Sequence, residues 1–167
     1  IYRGGCLHDI GKIRIDKEIL KSCDRIPCND ARRIEIEKHP AYGHIIVQNR
    51  NFYTTSIGNI ILYHQEEYDG TGYPMQLAGE DIPLEARIVC IADSFDAIVA
   101  KRPYDGARSL ETAIKEMVGN FGKQFDPAIL MRFLELLSLD IVTDESREKR
   151  LAHIYGNMLK EYKQAQK

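Results

Sequence analysis

The run Ile88 to Ala100, "IVCIADSFDAIVA", sets apolar side chains at Ile88, Ile91, Phe95, Ile98 and Val99. These steps of three and four residues fall on one face only in an α-helix. The same helical spacing returns at Ile57, Ile61 and Leu62, just upstream of His64, and at Leu151, Ile154, Tyr155, Met158, Leu159 and Tyr162 near the end of the chain. No segment alternates with the two-residue period of a half-buried strand, so the sequence predicts an all-α protein.

Helix boundaries follow from the local chemistry. Asn29 or Asp30, Ser56 and Ser109 each stand where an N-cap is needed, and Asp126 precedes a proline at the first helical position. "DGTGYP" and "GNFGKQ" are breaks. Helices are expected near 1–10, 16–21, 30–38, 41–50, 56–66, 84–101, 109–119, 127–137 and 144–164. The last carries acids at its start and lysines toward its end, as the helix dipole favours, and its apolar face either packs on the domain or meets a partner.

A chain of 167 residues suits one domain of ordinary size. Its formal charge of -2 offers no generic basic face for duplex DNA or RNA, and no apolar run approaches the ~20 residues that span a bilayer. Cys6, Cys23, Cys28 and Cys90 have neither zinc-knuckle spacing nor the density of a disulfide scaffold, so reduced thiols in a cytoplasmic compartment are expected. The chain opens on Ile1 and reaches "LHDIGK" within a few residues, which reads as an excised domain.

Chemistry enters with Asp93. A carboxylate inside so apolar a run is costly to bury unless something cationic neutralises it. His8-Asp9, His39 and His64 lie on or at the ends of other predicted helices, and adjacent residues such as His8 and Asp9 reach one point only with an ion between them near a helix end. Imidazoles and carboxylates from separate helices suit a metal site inside a bundle. Mixed nitrogen and oxygen donors without thiolates favour iron, manganese or another transition ion over a structural zinc.

"HDIGK", then "HP" with a glycine three residues on, then "HQEEYDGTGYP", "IADSFDAIVAKRPY" and "FDP", form five blocks in an order that resembles the HD-GYP family, a branch of the HD-domain metal-dependent phosphohydrolases. The likeness runs from Leu7 to about Leu137. It implies an HD-domain-like helical bundle over 1–137, lacking its N-terminal helix, with a GYP loop between helices and a C-terminal helical extension over 138–167. It further implies a cytoplasmic bacterial enzyme that hydrolyses cyclic di-GMP to the linear dinucleotide, and on to GMP, with two transition-metal ions, iron or manganese, and a third site in doubt.

Carried over by position, His8, Asp9, His39, His64 and Asp93 are the expected metal ligands, with Asp9 bridging two ions. Asp9 and Lys12 are the expected catalytic residues. Lys12 would contact the substrate phosphate or the attacking water, Arg102 would grip the phosphate bidentately, and Tyr73 would stand beside the pocket. In the loop, Gly70 and Gly72 allow positive φ or a close backbone approach, and Asp69 can close an Asx turn. His44 and His153 receive no site; Glu66 and Glu67 are read as a solvated face in preference to acids placed just behind the metals; Tyr104, Phe121 and Phe125 as core or rim.

The pattern is broken in three places. Gln65 stands where the family commonly has a second histidine, Asp105 where a basic residue is frequent, and the family's upstream helix is missing. The missing wall would expose apolar surface for another chain or a domain-swapped segment to cover, a homodimer being one such arrangement, and a sensory or receiver domain is expected in the full-length protein. An alternative class therefore stays open: a degenerate domain that binds nucleotide or a partner protein without turnover. A mononucleotide hydrolase would fit the HD core but leave the GYP block unexplained.

Overall fold

A computed structural model of the chain describes residues 1–22, 30–100 and 110–140. Regular structure among them is helical, apart from one isolated bridge between Phe121 and Phe125. The chain divides into two compact units, Ile1–Cys90 and Ile91–Lys167.

In the first unit, α1 (Tyr2–Leu7) gives way to a 3-10 helix, Ile10–Arg14, followed by α2 (Lys17–Ser22), α3 (Ala31–Ile36), α4 (His39–Val47) and α5 (Thr55–Tyr63). The expected helix over 1–10 thus ends at Leu7. His8 is still right-handed helical, but Asp9 at φ -95° and ψ 7° starts the tighter turn. Asp30 caps α3 by accepting from the Arg32 amide, as expected. For α5 the cap is Thr54, not Ser56: its hydroxyl accepts from the Ile57 amide, and its extended backbone leaves the two residues after it inside the first turn.

The stripe of α5 explains how the unit is built. Ile57, Ile60 and Ile61 are buried, and His64, one further turn along, continues the same face. Val47, Ile57 and Ile61 form a cluster with Leu7, Ile10, Ile46 and Tyr53 packed against it. Two close backbone approaches set the spacing. A Cβ on Gly4 would meet Ile60 Cδ1 at 2.5 Å, and one on Gly11 would run into the His39 carbonyl oxygen. Only a missing side chain lets the 3-10 helix lie on the start of α4.

A short 3-10 helix, Gly79–Asp81, leads into α6 (Leu84–Val99), whose residues to Cys90 belong to the first unit and whose remainder belongs to the second. The second unit continues with α7 (Leu110–Gly119) and α8 (Pro127–Asp140). Ala113, Ile114, Met117, Phe125 and Leu130 are buried there, and the Phe95 and Phe133 rings meet edge to face with centroids 5.2 Å apart. Asp126 caps α8 through the amides of Ala128 and Ile129, as the Asp-Pro signal predicts. The helix expected over 144–164 lies outside the described residues, as do Cys23, Cys28, Arg102, Tyr104 and Asp105.

Candidate metal centre

The local turn that ends α1 positions the first pair. In a 3-10 helix, side chains three residues apart eclipse one another, so Lys12 stands directly over Asp9, its N-cap. Lys12 Nζ donates to Asp9 Oδ2 at 2.5 Å, and His8 Nε2 lies 3.4 Å from the same oxygen. The other carboxylate oxygen, Oδ1, points inward, where His39 Nε2 is 3.3 Å away and His64 Nε2 3.9 Å. His39 enters from the first residue of α4 and His64 from the C-cap of α5, both buried.

Backbone carbonyls orient all of these rings. His8 Nδ1 lies 2.6 Å from the Gly5 oxygen, His39 Nδ1 2.8 Å from that of Ile36, and His64 Nδ1 3.1 Å from that of Ile61. A carbonyl only accepts, so in the neutral rings of His39 and His64 Nδ1 carries the proton and Nε2 keeps its lone pair. The two Nε2 atoms are 3.2 Å apart and both face Asp9. Asp9 Oδ1 is buried and has no hydrogen-bond donor. Electron pairs gathered this closely repel unless a cation sits among them, and fixing Nδ1 so that Nε2 is offered is the arrangement metal-binding histidines use. Single atoms of His8, Asp9 and His64 lie within 4.8 Å of one another, close enough to share an ion.

Electrostatics agree. Burial and the neighbouring rings His39 and His8 push the His64 imidazole down to about 4, so it is neutral at physiological pH. Burial also lowers His39, against the opposing pull of the Ile36 carbonyl and Asp9. Burial raises the Asp9 carboxyl, but the hydrogen bonds of His8 and Lys12 and the Lys12 charge outweigh it and hold the group far below the usual carboxylate range. Two neutral imidazoles and an ionised carboxylate are the protonation states a divalent transition ion needs.

The other expected site residues fall as follows. Tyr73 stands near the centre, its ring 6.3 Å from that of His39 at 78°. Asp93 is half-buried on α6, in the second unit. Arg102 is among the residues not described. In the loop, Thr71 donates its amide to Asp69 Oδ1, the Asx turn expected there, and Gly70 takes φ +84°. A Cβ on Gly72 would collide with the backbone of Gln65, Glu66 and Glu67.

Two side chains do more than the sequence suggested. Glu66 is not on a solvated face: it is 2% exposed, and its carboxylate accepts the amides of Met75 (2.7 Å) and Leu77 (3.0 Å). Gln65 Oε1 accepts from the Tyr73 hydroxyl at 3.0 Å. A carboxylate followed by a glycine-rich loop was the available signal for Glu66, since exposed loop amides need acceptors once they are buried.

An all-helical unit that brings two neutral imidazoles, a third histidine and an ionised aspartate together from the end of α1 and the ends of α4 and α5 defines a helical protein with a candidate metal-binding pocket. The chain belongs to the HD-domain family, whose sequence pattern it matches over residues 1–129; "HDIGK" and "HQEEYDGTGYP" mark the HD-GYP branch. It is 41% identical over 133 residues to a cyclic di-GMP phosphodiesterase of Thermotoga maritima, covering 78% of this chain and 35% of that one. It is 39% identical over 122 residues to the cyclic di-GMP phosphodiesterase response regulator RpfG of Xanthomonas campestris, covering 72% and 32%. A 3'3'-cGAMP-specific phosphodiesterase of Vibrio cholerae is 37% identical over 131 residues, covering 77% and 24%. This chain therefore spans about a third or less of the length of these relatives. The crystal structure of a cyclic GMP-AMP specific phosphodiesterase of V. cholerae shares the fold, with a TM-score of 0.59 at 19% identity over 87% of this chain and 40% of that one.

Proposed function

We propose that this chain is the hydrolase domain of a cytoplasmic bacterial phosphodiesterase that opens cyclic di-GMP to the linear dinucleotide, with GMP as the further product of the same chemistry. The observation that carries the reading is the convergence of His39 Nε2 and His64 Nε2 on the donor-less Asp9 Oδ1. Relatives at 37–41% identity that are named as cyclic dinucleotide phosphodiesterases support the substrate class.

In this reading residues 1–137 are the HD-GYP domain and 138–167 an extension. His8, Asp9, His39, His64 and Asp93 hold two transition ions, iron or manganese. Such ions, when bound, supply an acidified water and neutralise charge on the phosphate. The protein's own groups do the rest. The Nδ1 contacts of His39 and His64 hold those rings with Nε2 inward. Lys12, whose side chain is 40% exposed at the rim beside Asp9, brings a positive charge to the equatorial phosphate oxygens. Arg102 grips the phosphate as a planar fork, and Tyr73 forms the nucleotide-side wall.

The test is product identification. Protein loaded with ferrous or manganous ion is incubated with cyclic di-GMP and, separately, with 3'3'-cyclic GMP-AMP, and the products are weighed by mass spectrometry. Linear dinucleotide from cyclic di-GMP supports the proposal. Turnover of cyclic GMP-AMP alone would move the assignment to that nucleotide, and turnover of neither would leave a binding domain.

A further inference from the structure

The residues that follow His64 tie the GYP loop to the metal centre at several points. Gln65 holds Tyr73 at both ends: its side-chain oxygen accepts the phenol at 3.0 Å, and its backbone oxygen accepts the Tyr73 amide at 3.1 Å. Gly72 lets the two chain segments lie this close, because any Cβ there would overlap the backbone of residues 65–67. Glu66 then takes the amides of Met75 and Leu77. The Tyr73 ring is thereby set edge-on to His39.

We infer that Gln65 is a positioning residue that clamps Tyr73 as a fixed wall of the centre, and that it does not serve as a metal ligand. The chemistry favours this division. An amide oxygen is a weak donor to a transition ion beside imidazole, yet a good neutral acceptor for a phenol. A histidine at this position would offer its ring to an ion; glutamine instead offers the reach and the acceptor the tyrosine needs. The consequence for substrate rests on the hydrolase reading above, whereas the clamp itself does not.

Two measurements on the whole chain test it, using Gln65→Leu, Tyr73→Phe, the double variant and Gln65→Glu. The first is amide hydrogen exchange across residues 65–77. Loss of one hydrogen bond should raise exchange at Tyr73 roughly five- to tenfold in either single variant. The double variant should exchange no faster than the singles, because both remove the same bond. Gln65→Glu, which keeps an acceptor, should exchange close to the parent rate. The second is ions bound per chain after loading with manganese, which should be equal in the parent, Gln65→Leu and Tyr73→Phe. Loss of an ion in Gln65→Leu, unchanged exchange in that variant, or additive effects in the double variant would each overturn the clamp. Tyr73→Phe removes one hydroxyl and leaves the ring, so it reports even where Gln65→Leu folds poorly. If the chain hydrolyses cyclic di-GMP, both single variants should raise KM by the same factor. A parent chain without turnover counts against the hydrolase reading, while exchange and ion content still decide the clamp.

Discussion

His64 illustrates how burial sets the protonation state of a candidate ligand. In the metal-free protein its depressed pKa makes the folded state bind protons less readily than the unfolded state. The stability this contributes is complete above its ordinary value of 6.5 and is lost as the pH falls from there through about 4. That amounts to about 3 kcal/mol, with His39 acting in the same direction. Urea unfolding of chelator-treated protein should therefore show stability falling between pH 7 and pH 4; a flat profile would mean that the imidazoles are not buried as described. Asp9 acts in the same direction at lower pH, its stability present above the ordinary carboxylate value of 3.8 and lost only in stronger acid. Gly11 is the second sensitive position. Gly11→Ala should cost about 3 kcal/mol, since its methyl has no space against the His39 carbonyl, and thermal melts would record the loss. That His8, Asp9, His39 and His64 would gather was legible from the family resemblance, but the tasks of Gln65 and Glu66 were not. Where an amide or carboxylate points depends on a loop that returns to it, and no periodicity carries that information.

The helical elements were legible because apolar stripes and caps are local signals. Asp30, Asp126 and the "DGTGYP" break all act where their chemistry predicts. Two boundaries were less so. α1 stops at Leu7 because a 3-10 turn brings Lys12 over Asp9 and seats Gly11 on α4, a tertiary demand that overrides local helix spacing. Consecutive hydroxyl residues at 54–56 offered several caps, and backbone entry angle selected Thr54. α5 carries the most consequence, since one stripe serves both core and site. Ile60, wholly buried, lies one turn before His64 and against Gly4 of α1. Ile60→Ala should destabilise the chain by roughly 2–5 kcal/mol and should also weaken metal binding by loosening the turn that carries His64. Denaturation and metal titration of the same variant would separate a site coupled to the stripe from one independent of it.

At the scale of the molecule, the all-α class follows from spacing alone, and the HD-GYP resemblance holds in the family match over residues 1–129. The division into units at residues 90 and 91 was not legible, because it falls within α6, where apolar spacing continues without a break. No helix among the described residues is long and apolar enough to cross a membrane. An ion held by the folded chain and not by the unfolded one stabilises the whole. At a hundredfold excess over its dissociation constant the gain is about 2.7 kcal/mol. For a chain of this size that is a rise in Tm of roughly 5–10 °C, which chelator should reverse.

The most direct test of the central claim, that the cluster around Asp9 is a metal centre, is the number of manganous ions bound per chain in the parent and in Asp9→Ala. At least one ion is expected in the parent and none retained at this cluster in the variant. A parent that binds no ion, or a variant that binds as many as the parent, would contradict it.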